Sequence, residues 1–258
     1  MNKMKTLITL ALFSFFALHL NAQVTKPAVK KPATKTTTST TKKKVTTKTT
    51  KPVAKIPAPT KIPGVRIKIT TDSGVMVIRL YDKTPLHRDN FIKLANQHFF
   101  DSLLFHRVIS GFMIQGGDPQ SKNAQPGQML GNGDVGYTIP AEFDASLFHK
   151  RGALAAARMG DQVNPAKASS GCQFYIVQGK TWTDADMDMF EMQKGSKYTP
   201  AQRALYKTVG GTAQLDMNYT VFGEVESGLE VIDKIASVQK GMGDRPIGDV
   251  RMYIEVIK

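Results

Sequence analysis

From Val65 onward, apolar residues occupy alternate positions at Val65, Ile67 and Ile69, stop at Thr71-Asp72-Ser73-Gly74, and resume at Val75, Val77 and Ile78. Successive strand side chains leave opposite faces, so two alternating runs around a short polar turn predict a β-hairpin. The period then changes. Thr84-Pro85 precedes Phe91, Leu94, Ala95 and His98 on one face, which predicts a helix with Thr84 as N-cap and Pro85 at its first position. Strand-like runs follow at 104–109, 112–115, 152–157, 174–177, 220–225 and 250–256, separated by glycine-rich loops. A second amphipathic helix carries Val231, Ile232 and Ile235. Many short strands with two helices predict a mainly β chain folded as a closed antiparallel barrel with a helix over each end.

Residues 182–212 break that rhythm. Thr183 stands three residues before Asp186 and Thr199 three before Gln202, the spacing of capping boxes, and Gly210-Gly211 ends the second unit. The segment is therefore read as a helical insertion. Asp184, Asp186 and Asp188 imitate the start of a calcium loop, but the sixth position is Met189 instead of Gly and the twelfth is Gly195 instead of Glu.

Before Gly64 the pattern disappears. Residues 23–63 hold Lys, Thr, Pro, Ala, Val, Ser and Ile almost exclusively, with no acidic or aromatic residue, too little apolar surface to offset ordering entropy. They predict a disordered linker acting as a tether, the sharper alternative being weak electrostatic contact with anionic envelope polymers or lipid. Residues 1–22 join a basic start, an apolar run from Thr6 to Leu20 and a small residue, Ala22. This is the pattern of a signal peptide cleaved after Ala22, and it predicts export, to a periplasm in a bacterium. An apolar run of about 15 residues is short for the roughly 20 that span a bilayer.

Charge follows the same division. All 21 acidic residues lie at or after Asp72, whereas 13 of the 35 basic ones precede Gly64, leaving +1 for the folded remainder, 64–258. The pI of about 9.8 thus describes the leader and linker, and argues against a specific nucleic-acid surface. Cys172 is the only cysteine, so an internal disulfide is excluded; it reads as a small buried residue beside a strand.

No metal-ligand spacing links the five histidines, and no phosphate-binding glycine loop is present, so neither metal nor cofactor is expected. The distinctive block is Phe105-His106-Arg107-Val108-Ile109-Ser110-Gly111-Phe112-Met113-Ile114-Gln115-Gly116-Gly117-Asp118. Strand alternation lets Arg107, Met113 and Gln115 share one face, beside Phe112 at a bend after Gly111. His106 points the other way and reads as a structural histidine with its polar atoms satisfied, and Gly116-Gly117-Asp118 reads as a turn. Gly171-Cys172-Gln173-Phe174-Tyr175-Ile176 adds a further amide and aromatic rings, and Tyr219-Thr220-Val221-Phe222-Gly223-Glu224-Val225 adds more.

These three stretches resemble the cyclophilin family of peptidyl-prolyl cis-trans isomerases over most of the chain from Ile67 onward. The resemblance implies an eight-stranded closed barrel with two capping helices, and a monomer that acts on proline-containing polypeptides. It implies that Arg107, Phe112 and Gln115 form the catalytic set. By the same resemblance Met113, Ala157, Gln173, Tyr175, Leu215 and Tyr219 bind the substrate, with Phe112, Met113, Tyr175 and Leu215 as floor and walls of the proline pocket. Tyr175 stands where the family often has Phe, Tyr219 where many members have His, and Gly152–Arg158 matches the family's groove strand only loosely. Many members grip cyclosporin through a tryptophan near the pocket. Trp182 and Gln214 both stand as candidates for that position; Trp182, just before the Thr183 cap with Met187 beyond it, fits a hydrophobic staple, which would weaken cyclosporin contact. The competing function is a module that holds proline segments with little turnover.

Overall fold

The computed structural model describes residues 64–257. The leader expected at 1–22 and the linker expected at 23–63 lie outside the described residues. The opening hairpin is β1 (Arg66–Thr71) and β2 (Gly74–Leu80), paired antiparallel with Thr71 opposite Gly74. α1 (Pro85–Asn96) leads to β3 (Leu103–Leu104), β4 (Arg107–Ile109) and β5 (Met113–Gly116). Beyond a long loop come β6 (Thr138–Ile139), β7 (Ala153–Ala156), β8 (Ser169–Ser170) and β9 (Phe174–Val177). α2 (Asp184–Lys194) and α3 (Pro200–Thr208) precede β10 (Val221–Ser227), α4 (Leu229–Ala236) and β11 (Arg251–Ile257).

Nine strands form one curled antiparallel sheet in the order β3-β11-β1-β2-β10-β7-β9-β5-β4, while β6 and β8 make a separate two-stranded ladder. The sheet is a half-barrel, which corrects the expectation of eight strands closed on themselves. The physical reason lies at its edges. Among the described residues β3 pairs only with β11 and β4 only with β5, and the two are consecutive pieces of one segment joined through Phe105-His106. The chain passes from one edge to the other, so no ladder of hydrogen bonds forms between them.

The concave side encloses an apolar core. Phe91, Phe100, Phe105 and Phe174 meet there, with Phe100 stacked on Phe91 at 4.7 Å and set edge-on to Phe174 at 5.7 Å. α1 contributes Phe91, Leu94 and Ala95, and α4 contributes Val231, Ile232, Ile235 and Ala236. Each helix buries one stripe against the sheet, as its periodicity requires.

Two details of α1 differ from the sequence expectation. Thr84 makes no side-chain cap; instead the backbone N–H groups of Leu86 and His87 donate to the Glu142 carboxylate at 3.1 and 3.0 Å. A carboxylate at the positive helix end serves the same purpose from a distant loop. His98 lies past the last turn in the left-handed region (φ 55°), exposed and facing Asp101 rather than the core. In α2 and α3 both capping boxes are formed, Thr183 with Asp186 and Thr199 with Gln202. Met187, Phe190, Tyr198, Tyr206 and Ala213 give this helical pair its own small core, with Phe148 and Trp182 packed against it.

Phe100→Ala should destabilise the domain by about 3–5 kcal/mol, the range for deleting a large ring from a packed core. Urea denaturation measures it; a loss below about 1 kcal/mol would mean that the aromatic cluster does not hold the sheet.

Candidate active site

Strand register carries one row of side chains across the outer face of the sheet. Arg107 on β4 stands opposite Gln115 on β5, Gln115 opposite Tyr175 on β9, Tyr175 opposite Ala155 on β7, and Ala155 opposite Val221 on β10. Beside it runs Ile109, Met113 and Val177. The alternate row, Val108, Ile114, Ile176 and Leu154, faces the core. The outer rows form a second apolar cluster of Met113, Ala153, Ala155, Tyr175, Val177 and Val221, and Phe112, Ala157, Leu215 and Tyr219 are half-buried against it. All six apolar site candidates therefore share one patch: Phe112, Met113, Ala157, Tyr175, Leu215 and Tyr219.

The three polar candidates form a directed chain. Arg107 Nη1 donates to Gln115 Oε1 (3.2 Å), Gln115 Nε2 donates to Gln173 Oε1 (3.1 Å), and Gln173 Nε2 donates to the carbonyls of Gly131 (2.9 Å) and Gly133 (2.7 Å). Each amide is thereby held in one orientation. Gln115 takes one N–H of Arg107, whose side chain remains 42% exposed and can donate elsewhere. The loop that receives the chain is itself fixed by Asp118. This fully buried carboxylate accepts from the backbone N–H groups of Gln120 (2.7 Å), Gly131 (2.5 Å) and Gly133 (3.4 Å). A side chain at Gly133 would collide with that carboxylate, and Gly117, at φ +92°, lies against the Cys172 carbonyl where no Cβ fits. Asp118 is thus an anchor for the site, not only part of a turn. Its place after Gly116-Gly117 was visible in the sequence; its partners, 13 and 15 residues on, were not.

Tyr175 is the most buried of the pocket rings. Its hydroxyl meets His149 Nε2 at 2.9 Å, and Tyr219 lies edge-on to it at 5.9 Å. The Arg158 guanidinium covers the Tyr219 ring at 4.5 Å and donates through Nε to the Asn218 carbonyl at 2.7 Å, which gives that residue a packing role. Trp182 is not in this patch. Its ring sits edge-on to Phe190 at 5.0 Å and its Nε1 donates to the Gly211 carbonyl at 2.9 Å, whereas Gln214 is exposed beside Leu215.

A cavity of about 170 Å³ opens beside Arg107 and Gln115, bounded also by His106, Asn132, Met242 and Arg245. His106 is 3% exposed, and neither ring nitrogen has a hydrogen-bond partner among the described residues, which corrects the expectation of a satisfied histidine. Its position between β3 and β4 leaves it outside either ladder. Burial pushes its imidazole down to about 4, although Asp118 pulls the other way. Cys172 is buried as expected, and burial pushes its thiol up to about 11, away from nucleophilic use.

The family model described as "Cyclophilin type peptidyl-prolyl cis-trans isomerase/CLD" matches residues 66–256. A provisionally named bifunctional phosphatase/peptidyl-prolyl cis-trans isomerase of Streptococcus pyogenes is 37% identical over 198 residues, 76% of this chain but only 38% of that protein. A provisionally named peptidyl-prolyl cis-trans isomerase of Staphylococcus haemolyticus is 33% identical over 187 residues, covering 72% of this chain and 87% of the relative. The crystal structure of a cyclophilin-type isomerase from Cryptosporidium parvum shares the fold with a TM-score of 0.55 at 21% identity, over 76% of this chain and 98% of its own.

The His106 shift has a direct consequence for stability. Between about pH 6.5 and about 4 the unfolded chain binds a proton that the native site refuses, so stability falls as pH drops through that window. His106 alone should remove about 3 kcal/mol between pH 7 and pH 4. Urea midpoints across that range measure the slope, which should be shallower in His106→Gln; identical slopes would show that the imidazole does not carry it.

Proposed function

The chain belongs to the cyclophilin-type peptidyl-prolyl cis-trans isomerase family, enzymes that interconvert the cis and trans forms of X-Pro bonds, and from that premise we propose that it acts on exported polypeptides to assist their folding. What supports export is the basic, apolar and small-residue pattern of residues 1–22. Residues 23–63 then serve as the tether of the catalytic domain.

The observation that carries the assignment of the site is the row from Arg107 through Gln115 to Tyr175, which sets a charged donor beside an apolar cup. Amide resonance raises the barrier to X-Pro rotation to about 18–20 kcal/mol, so the uncatalysed change takes tens to hundreds of seconds. Reaching milliseconds requires roughly 10⁵-fold, about 7 kcal/mol off that barrier. No bond is broken and no proton need move. As the amide twists, conjugation is lost and the prolyl nitrogen gains a lone pair, so a donor aimed at that nitrogen favours the twisted state over the planar one. Arg107 suits the task because its guanidinium stays charged and keeps its protons. Phe112, Met113, Leu215 and Tyr175 hold the proline ring while the acyl side rotates. Gln115 fixes the guanidinium, and Gln173 keeps the Gln115 amide from turning over.

Arg107→Ala should lower kcat/KM on a short X-Pro peptide by about 10²–10³, the cost of losing one preorganised donor. A protease-coupled isomerisation assay measures this; near-wild-type turnover in a folded variant would remove Arg107 from the mechanism and favour a site that only holds proline segments. Deleting residues 23–63 should leave peptide turnover within about twofold, because a segment of this composition is not expected to shape the pocket. A tenfold loss in the same assay would place the segment in the site.

A further inference from the structure

A second polar chain runs behind the pocket and ends in the helical insertion. Asp216 is 3% exposed and lies directly after Leu215. One of its carboxylate oxygens accepts from the backbone N–H of His149 (2.7 Å) and from His149 Nδ1 (2.7 Å), and the other from the Tyr206 hydroxyl of α3 (2.6 Å). On the other edge of the same ring, Nε2 meets the Tyr175 hydroxyl at 2.9 Å. The His149 ring lies nearly parallel to that of Tyr175, 12° apart at 6.0 Å. His149 and Tyr206 are fully buried and Tyr175 is 4% exposed, so none of these bonds has water to replace it.

The energetic asymmetry of buried polar groups gives the chain its meaning. A buried hydroxyl left without a partner is destabilising, and a phenyl ring would fill the same floor without that cost. The Tyr175 hydroxyl therefore ties the floor to something. Burial works against ionisation of Asp216, yet the bonds from His149 and Tyr206 hold its carboxyl below the usual carboxylate range. The far end is equally fixed: the Tyr198 hydroxyl donates to the Ala213 carbonyl at 2.8 Å, and Lys194 Nζ stands 4.0 Å from Asp216.

We propose that the helical insertion buttresses the proline pocket, with His149 and Asp216 as positioning residues that fix the Tyr175 ring from Tyr206 on α3. This rests on the reading of the pocket given above. The insertion is then part of the enzyme's active architecture, although none of its residues touches substrate.

The test is a double-mutant cycle on the full chain, reading kcat and KM for an Ala-Pro tetrapeptide, its dissociation constant by calorimetry, and the Tm. Tyr206→Phe keeps the ring and removes one hydroxyl. It should lower kcat/KM about fivefold, chiefly by raising KM, whereas in a Tyr175→Phe background the same change should cost less than twofold. Asp216→Asn provides a second route should Tyr206→Phe fail to fold, with the same loss and the same lack of additivity. A folded Tyr206→Phe protein with a lowered Tm and unchanged kinetics and affinity would overturn the proposal, as would losses that multiply in the double variant. Wild-type turnover and its collapse in Arg107→Ala judge the pocket itself. The dissociation constants still complete the cycle if turnover is absent, so the two failures remain distinct.

Discussion

A β-strand sends neighbouring side chains to opposite faces, and on β4, β5, β9 and β7 both faces carry apolar residues, with Arg107 and Gln115 the polar members of the outer one. Val108, Ile114, Ile176 and Leu154 belong to the core, while Ile109, Met113, Tyr175 and Ala155 line the outside. Shifting any one of these strands by a residue would exchange the two sets and put Arg107 or Gln115 into the aromatic core. The pocket thus inherits its accuracy from the core beneath it. The Phe174 ring, buried against Phe91 and Phe100, sits between Gln173 and Tyr175 and fixes where both of those neighbours emerge.

Register alone leaves long polar side chains free to rotate, and hydrogen-bonded chains remove that freedom. On one side Asp118 pins the Gly131–Gly133 loop, the loop orients Gln173, and Gln173 orients Gln115 beneath Arg107. On the other side Asp216 and His149 reach Tyr175. In each case a buried carboxylate accepts several N–H or O–H groups, the arrangement that makes an enclosed charge tolerable. Catalysis of a rotation gains from such rigidity because the energy difference lies in aiming donors, not in moving protons.

Local patterns were legible in the sequence. The opening hairpin, the β9 run at 174–177, the apolar stripe of α4 and both capping boxes of the insertion depend on residues a few positions apart, and they appear where their spacing put them. What the sequence concealed was non-local. Glu142 replaces Thr84 at the start of α1 from 55 residues away, and His149 finds Asp216 across 67 residues. No motif signals either pairing. The open sheet was missed for the same reason, because the run at 104–109 reads as one strand although its two halves pair with different neighbours. The candidate site residues were named as a set through family resemblance, and the hydrogen bonds that link Arg107, Gln115 and Gln173 became visible only when the strands were brought together.

The split of that run into β3 and β4 also bears on the company this protein keeps. An exposed sheet edge is a template on which a foreign extended chain can add as a further strand. Here the terminal strands β3 and β4 are two and three residues long and belong to one continuous segment, and β3 covers only Arg251 and Met252 of β11. Beyond Met252 the outer side of β11 has no strand partner among the described residues, so the template for a foreign strand lies there and not along β4, which presents three residues.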